Sequence, residues 1–285
     1  MCMNLLTPDT LVELQSCLDH AHDDVSFISG GTDMILKFRE TGFCQTTVVD
    51  LSGVSELKYI EEKEDEVVIG ALTTLSTIVY SELLKDRAPM LCSAADQVGS
   101  TQIRNAATIG GNVANAFAGA DLIPPLVALD ATIDTLGKNG SVRSLSIGDF
   151  LIGNRKNALL PGEVVSQVRF KKQKGVQYFG KIGSRSRVTI SKLNMAAFIE
   201  IEDSLVKSAR VAFGALGSTA FLSDMTQAYL IGKRADTLDF SELSAVMTQQ
   251  VDEAIPTRQS RIYKRDAVRS LAADLREMIQ KDSEV

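Results

Sequence analysis

Two glycine pairs, far apart in the chain, constrain it more than any other feature. Gly30-Gly31 sits in ISGGTD, residues 28–33, and Gly110-Gly111 in TIGGN, residues 108–112. A glycine pair removes two side chains, so backbone N–H groups can come close to a ligand. Around the first pair, Ser29, Thr32 and Asp33 add two hydroxyls and a carboxylate, and Ile28 closes the preceding strand. Around the second, Thr108 adds a hydroxyl and Asn112 an amide, with Ile109 between them. Either loop alone reads as a tight turn. Two loops of matching chemistry point to one shared diphosphate ligand. Further along, Asp121 supplies a carboxylate able to accept from a sugar or ring donor. Neither loop is G-x-G-x-x-G, and G-x-x-x-x-G-K-[ST] is absent, which argues against a Rossmann site and a P-loop.

The rest of the pattern alternates helices with strands. Leu11, Leu14 and Leu18 fall at helical spacing, and Thr7-Pro8-Asp9 precedes them as a helix start. VSFISGG and TTVVDLSG read as strands, as do LKYIEEKEDE and EVVIGA around an acidic turn. Thr74 to Val98 reads as helical. ATIDTLG and SVRSLSI flank Asn139-Gly140, a strong hairpin signal. The apolar run LIPPLVALDA is expected in the core, and EVVSQVRFK is a further strand. KKQKGVQ marks a boundary, so a domain over 1–172, made of two α/β subdomains, is expected before a second α+β domain over 173–285. That second part carries MAAFIEIED, LVKSARVAFGAL and amphipathic helices over 224–230, 240–251 and 263–279.

Composition excludes several functions. A net charge of -6 argues against a nucleic-acid-binding surface. No apolar stretch approaches the roughly 20 residues that cross a bilayer. The N-terminus lacks the basic start and apolar core of a signal peptide, so a cytoplasmic location is expected. Cys2, Cys17, Cys44 and Cys92 form no C-x-x-C pair, which argues for isolated thiols and against a zinc or iron–sulfur site in this chain. His20 and His22 read as surface residues without a third ligand.

At residue level the chain resembles the FAD-binding subunits of the molybdenum hydroxylases, the xanthine, nicotinate and carbon monoxide dehydrogenase group. The resemblance rests on ISGGTDMI at 28–35, VVDLSGVSELKYI at 48–60, IGALTTLSTI at 69–78 and, above all, QIRNAATIGGNVANAFAGADLIPPLVALDA at 102–131. It implies an α+β chain: an FAD-binding fold of the vanillyl-alcohol-oxidase (PCMH) type, followed by a smaller α+β domain that closes over the flavin. It also implies that residues 28–33 and 108–112 hold the FAD diphosphate and ribityl chain, and that Asp121 is an acidic flavin contact. Leu159, in NALLPGE, matches a leucine near the adenine or ring, although Asn157 stands where the family usually has threonine. Lys192 matches a lysine of some relatives; a solvated surface lysine is the alternative. Neither loop holds a histidine or cysteine, so FAD is expected to be non-covalent. Molybdopterin and 2Fe-2S centres are expected on partner chains, a large and a small subunit, with electrons passing through FAD to NAD or another acceptor. No residue of this chain is then required as an acid–base catalyst. A stand-alone flavin oxidoreductase of the same fold is the alternative.

Overall fold

The computed structural model describes residues 4–22, 25–42 and 47–282; Cys2 and Cys44 lie outside them. A small parallel sheet comes first. β1 (Asn4–Leu6), β2 (Val25–Ile28) and β3 (Thr47–Asp50) lie in the order β1-β3-β2. Parallel strands need crossovers, supplied by α1 (Leu11–Asp19) and α2 (Met34–Thr41). Thr10 caps α1 by accepting from the Glu13 N–H, and Leu14 and Leu18 pack fully buried against Val49 and Leu51.

The second unit begins with a hairpin, β4 (Ile60–Glu62) and β5 (Glu66–Gly70). The helical stretch expected over 74–98 is three helices, α3 (Leu75–Tyr80), α4 (Glu82–Arg87) and α5 (Pro89–Asp96). Ser81 is extended and its side chain accepts from the Leu84 N–H, which starts a new helix. Ala88 cannot stay helical before Pro89, and the proline opens α5 at its first turn. α6 (Thr101–Ala106), α7 (Ile109–Asn115) and α8 (Ile123–Ala128) follow. Then come β6 (Thr132–Leu136), β7 (Val142–Ser146), α9 (Ile147–Phe150), β8 (Leu151–Gly153), β9 (Lys156–Asn157) and β10 (Val164–Lys171). An antiparallel sheet results, in the order β4-β5-β10-β6-β7. Asn139 and Gly140 have φ of 54° and 70°, the left-handed geometry that lets the β6–β7 connection turn tightly.

The last unit is β11 (Val176–Ile182), β12 (Leu193–Glu202), β13 (Leu205–Gly214) and β14 (Phe221–Leu222), antiparallel in that order. α10 (Asp224–Leu230), α11 (Phe240–Ala254) and α12 (Arg261–Asp282) complete it. Side chains alternate across a strand, and here both faces are covered. Met195, Ala197 and Ile199 pack with Leu243, Met247, Leu271 and Leu275 of α11 and α12. Phe179, Ala196, Phe198 and Ala212 point the other way, into the core that holds α5 and α8. Every residue of α8 is buried, as the sequence pattern of LIPPLVALDA requires. The C-terminal sheet therefore shares a core with the preceding unit.

Candidate functional site

The two glycine loops meet. Ser29 Oγ lies 3.0 Å from Thr108 Oγ1. Gly30 makes this approach possible, because a Cβ there would stand 1.9 Å from the Ala106 carbonyl oxygen. Gly31 has φ of 66°, a left-handed conformation that favours glycine, and it turns the chain from β2 toward α2. Gly111 lies over the joint: a Cβ there would sit 2.9 Å from Ser29 Oγ and 3.0 Å from Thr108 Oγ1.

The loops nevertheless differ in how their backbone is used. At the start of α7 the N–H groups are spent inside the protein. Ile109 donates to the Thr73 carbonyl at 3.0 Å, Gly110 to Ala71 at 2.9 Å and Asn112 to Thr108 at 3.0 Å. The Gly111 N–H goes to Thr108 Oγ1 at 3.1 Å. The expectation that Gly110 and Gly111 offer bare donors is therefore corrected. Gly110 is a packing residue, since a Cβ there would meet the Ala71 side chain at 2.6 Å and its carbonyl oxygen at 2.8 Å. In the first loop, the N–H groups of Gly30, Gly31 and Thr32 have no hydrogen-bond partner among the described residues. Asp33 leads into α2 without capping it. On the second loop, buried Asn112 Oδ1 has no donor among the described residues. A buried polar atom without a partner costs about 1–3 kcal/mol. The cradle thus holds open donors on one wall and an orphaned acceptor on the other. A diphosphate takes the donors and a ligand hydroxyl supplies the missing proton, so the residues fit FAD.

Asp121 is not free to serve as a simple flavin acceptor. Its buried carboxylate takes Lys181 Nζ at 2.5 Å on one oxygen. The other oxygen takes Ser191 Oγ at 2.5 Å and Asn194 Nδ2 at 2.8 Å. Lys181 also donates to the Gln97 carbonyl at 2.9 Å. Three donors leave little of the carboxylate's capacity unused, and the network joins the segment before α8 to β11 and β12. Leu159 is half-buried and packs on the main core; its N–H donates to Asn157 Oδ1 at 3.0 Å. The departure at Asn157 has a structural role, because Nδ2 donates to the Ala114 carbonyl at 2.6 Å and ties this segment to α7. Lys192 is exposed, with Nζ 5.0 Å from the Tyr263 ring centre. It lines a cleft of about 700 Å³ where the halves meet, with Phe117, Ser191, Arg258, Tyr263 and Lys264.

Sequence reading missed Arg155 and Lys181. Arg155 adopts φ of 57° and stacks over the Phe117 ring at 4.9 Å. Its guanidinium donates to Asn115 Oδ1 at 3.0 Å and lies 4.0 Å from the Asp33 carboxylate. It therefore links the end of the first loop to the end of α7. No local pattern marks either residue, because their partners are distant in sequence.

Known proteins match this architecture from end to end. Residues 1–170 match the family described as FAD binding domain in molybdopterin dehydrogenase, and residues 178–278 match the CO dehydrogenase flavoprotein C-terminal domain. The chain is 28% identical over 272 residues to the nicotinate dehydrogenase FAD-subunit of Eubacterium barkeri, covering 93% of this chain and 91% of that one. It is 30% identical over 197 residues to the xanthine dehydrogenase FAD-binding subunit of Escherichia coli O157:H7, covering 67% of each. Among solved structures, quinoline 2-oxidoreductase from Pseudomonas putida 86 superposes with a TM-score of 0.85 at 25% identity, over 99% of this chain and 97% of that one. With well over half its length matched and a cradle that fits the cofactor, the chain belongs to the family of FAD-binding domains in molybdopterin dehydrogenases and is an FAD-binding oxidoreductase component.

Proposed function

We propose that the chain is the FAD-carrying electron-transfer subunit of a heteromeric molybdenum hydroxylase, acting in the cytoplasm beside a molybdopterin-binding large subunit and a 2Fe-2S small subunit. The observation that carries this reading is the complementarity of the cradle. Among the described residues, Gly30, Gly31 and Thr32 present N–H groups without partners, and Asn112 Oδ1 on the second loop is an acceptor without a donor. Relatives across the matched length are named as FAD or medium subunits of dehydrogenases, which supports a multi-chain assembly.

In this reading Ile28 to Asp33 form the anion-facing wall. Thr108 holds the second loop in register through its contact with Ser29 and its cap on Gly111. Asn112 accepts from a ligand hydroxyl. Asp121 acts through Lys181, Ser191 and Asn194, fixing the wall behind the cofactor in place of touching it alone. Leu159 supplies apolar backing, and Lys192 stands at the cleft mouth. Bound FAD supplies redox chemistry between an iron–sulfur centre of a partner chain and NAD or another acceptor. The chain's own residues bind, orient and shield it.

The test is an absorption spectrum of the purified chain followed by acid release. Flavin bands and free FAD in the supernatant are expected. A colourless chain that takes up no FAD on reconstitution overturns the reading. Molybdenum and iron in the native complex separate it from a stand-alone flavin oxidoreductase.

A further inference from the structure

The wall that presents the open donors also carries a carboxylate. Across residues 28–33 and 108–112, Asp33 is the one acidic side chain, next in sequence to Thr32. It makes no side-chain cap on α2, so the helix does not account for it. A carboxylate beside a diphosphate repels it, and at ordinary salt that repulsion is felt over about 8 Å. Opposite Asp33 stands Arg155, in the turn between β8 and β9. Its backbone N–H donates to the Ala116 carbonyl at 2.8 Å. Its guanidinium donates to Asn115 Oδ1 at 3.0 Å and lies over the Phe117 ring at 4.9 Å. The neighbouring Asn154 Oδ1 accepts from the Ala118 N–H at 3.0 Å. Arg155 and Ala116 both have left-handed φ, 57° and 45°. Residues with a side chain stay there only where their surroundings hold them. The result is a guanidinium fixed by neutral partners, an amide and a ring, with its charge 4.0 Å from the Asp33 carboxylate.

We infer that Arg155 is a positioning residue for the cofactor's diphosphate and acts through Asp33. It cancels the carboxylate and straps the first loop to the end of α7, so that anion binding is left to the backbone donors of Gly30, Gly31 and Thr32. The inference rests on the reading that FAD occupies the cradle. A contribution to folding does not account for the pair: both side chains are more than half exposed, and an exposed ion pair adds little stability. Shape alone does not account for it either, because the ring and the Asn115 amide already fix the turn and neither needs a charge opposite Asp33.

The experiment is a double-mutant cycle in which FAD is titrated into the flavin-free full chain at low salt and followed by flavin fluorescence. Arg155→Gln is expected to raise the Kd about fivefold and Asp33→Asn to lower it about threefold, the size of one exposed charge interaction. The double variant, neutral at both positions, returns to within about twofold of the parent, and all the differences shrink in about 0.5 M salt. Arg155→Lys, which keeps the charge, binds FAD nearly as the parent does. A double variant as weak as Arg155→Gln overturns the inference, because Arg155 then acts without Asp33. Equal weakening in Arg155→Lys and Arg155→Gln also overturns it and gives the role to the stacked plane. Asp33→Asn and Arg155→Lys keep the test open if Arg155→Gln does not fold, and an Asp33→Asn chain that binds FAD no more tightly than the parent counts against the inference. A parent chain that takes up no FAD fails the underlying functional reading, a result visible in the spectrum before any variant is made.

Discussion

The two glycine loops read alike as sequence and work in opposite ways. In the first, the backbone donors of Gly30, Gly31 and Thr32 stay open among the described residues. In the second, the donors from Ile109 to Asn112 are bound within the protein, and Gly110 exists so that α7 can press on Ala71. One loop is the ligand-facing wall and the other is the rigid wall that positions it. A glycine pair therefore says that something comes close; only the hydrogen bonds say whether it is a ligand or another part of the chain.

Four substitutions test this division. Gly30→Ala has the largest effect, because its Cβ would stand 1.9 Å from the Ala106 carbonyl oxygen and force the loops apart. A stability loss of about 3 kcal/mol is expected, together with loss of saturable FAD binding, read by denaturant melts and flavin fluorescence. Gly110→Ala costs about 2 kcal/mol through crowding at Ala71, while FAD affinity of the folded chain stays within a few-fold. If Gly110→Ala instead lost FAD at unchanged stability, the two loops would not differ as described. Asn112→Ala is expected to raise the Kd for FAD about tenfold and to leave the Tm of the FAD-free chain no lower, because it removes a buried Oδ1 that has no partner there among the described residues. Thr108→Ala removes the α7 cap and the contact to Ser29, for about 1 kcal/mol. Thr108→Ser, which keeps the hydroxyl, should restore most of it, and equal melts for the two variants would argue against the cap.

Much of the architecture was legible in sequence. Asn139-Gly140 announced its hairpin because few other pairs take two left-handed conformations in a row. Leu14 and Leu18 announced the buried face of α1 through helical spacing. The helical character of 74–98 was legible, but its division into three helices was not, because Ser81 competes as a cap and Pro89 restricts Ala88, local effects that outweigh apolar periodicity. At the site, both loops were visible but their division was not, since Gly30 and Gly110 are the same residue until Ala106 and Ala71 are placed beside them. Asp121 was visible as a lone carboxylate, yet Lys181, Ser191 and Asn194 reach it only through tertiary folding. Arg155 carried no signal, because its role depends on a left-handed turn and on Asp33, which is remote in the chain.

The buried Lys181–Asp121 pair fastens the C-terminal sheet to the segment that leads into α8. Swinging the two halves apart would separate Lys181 from Asp121 and give up the buried hydrogen bonds between them. It would also strip Phe198 and Ala196 from the shared core. Both contacts hold the halves in the arrangement seen here. The link makes the cleft a socket more than a pair of jaws: the same network that seats Asp121 also fastens the wall on which Ser191 and Lys192 stand.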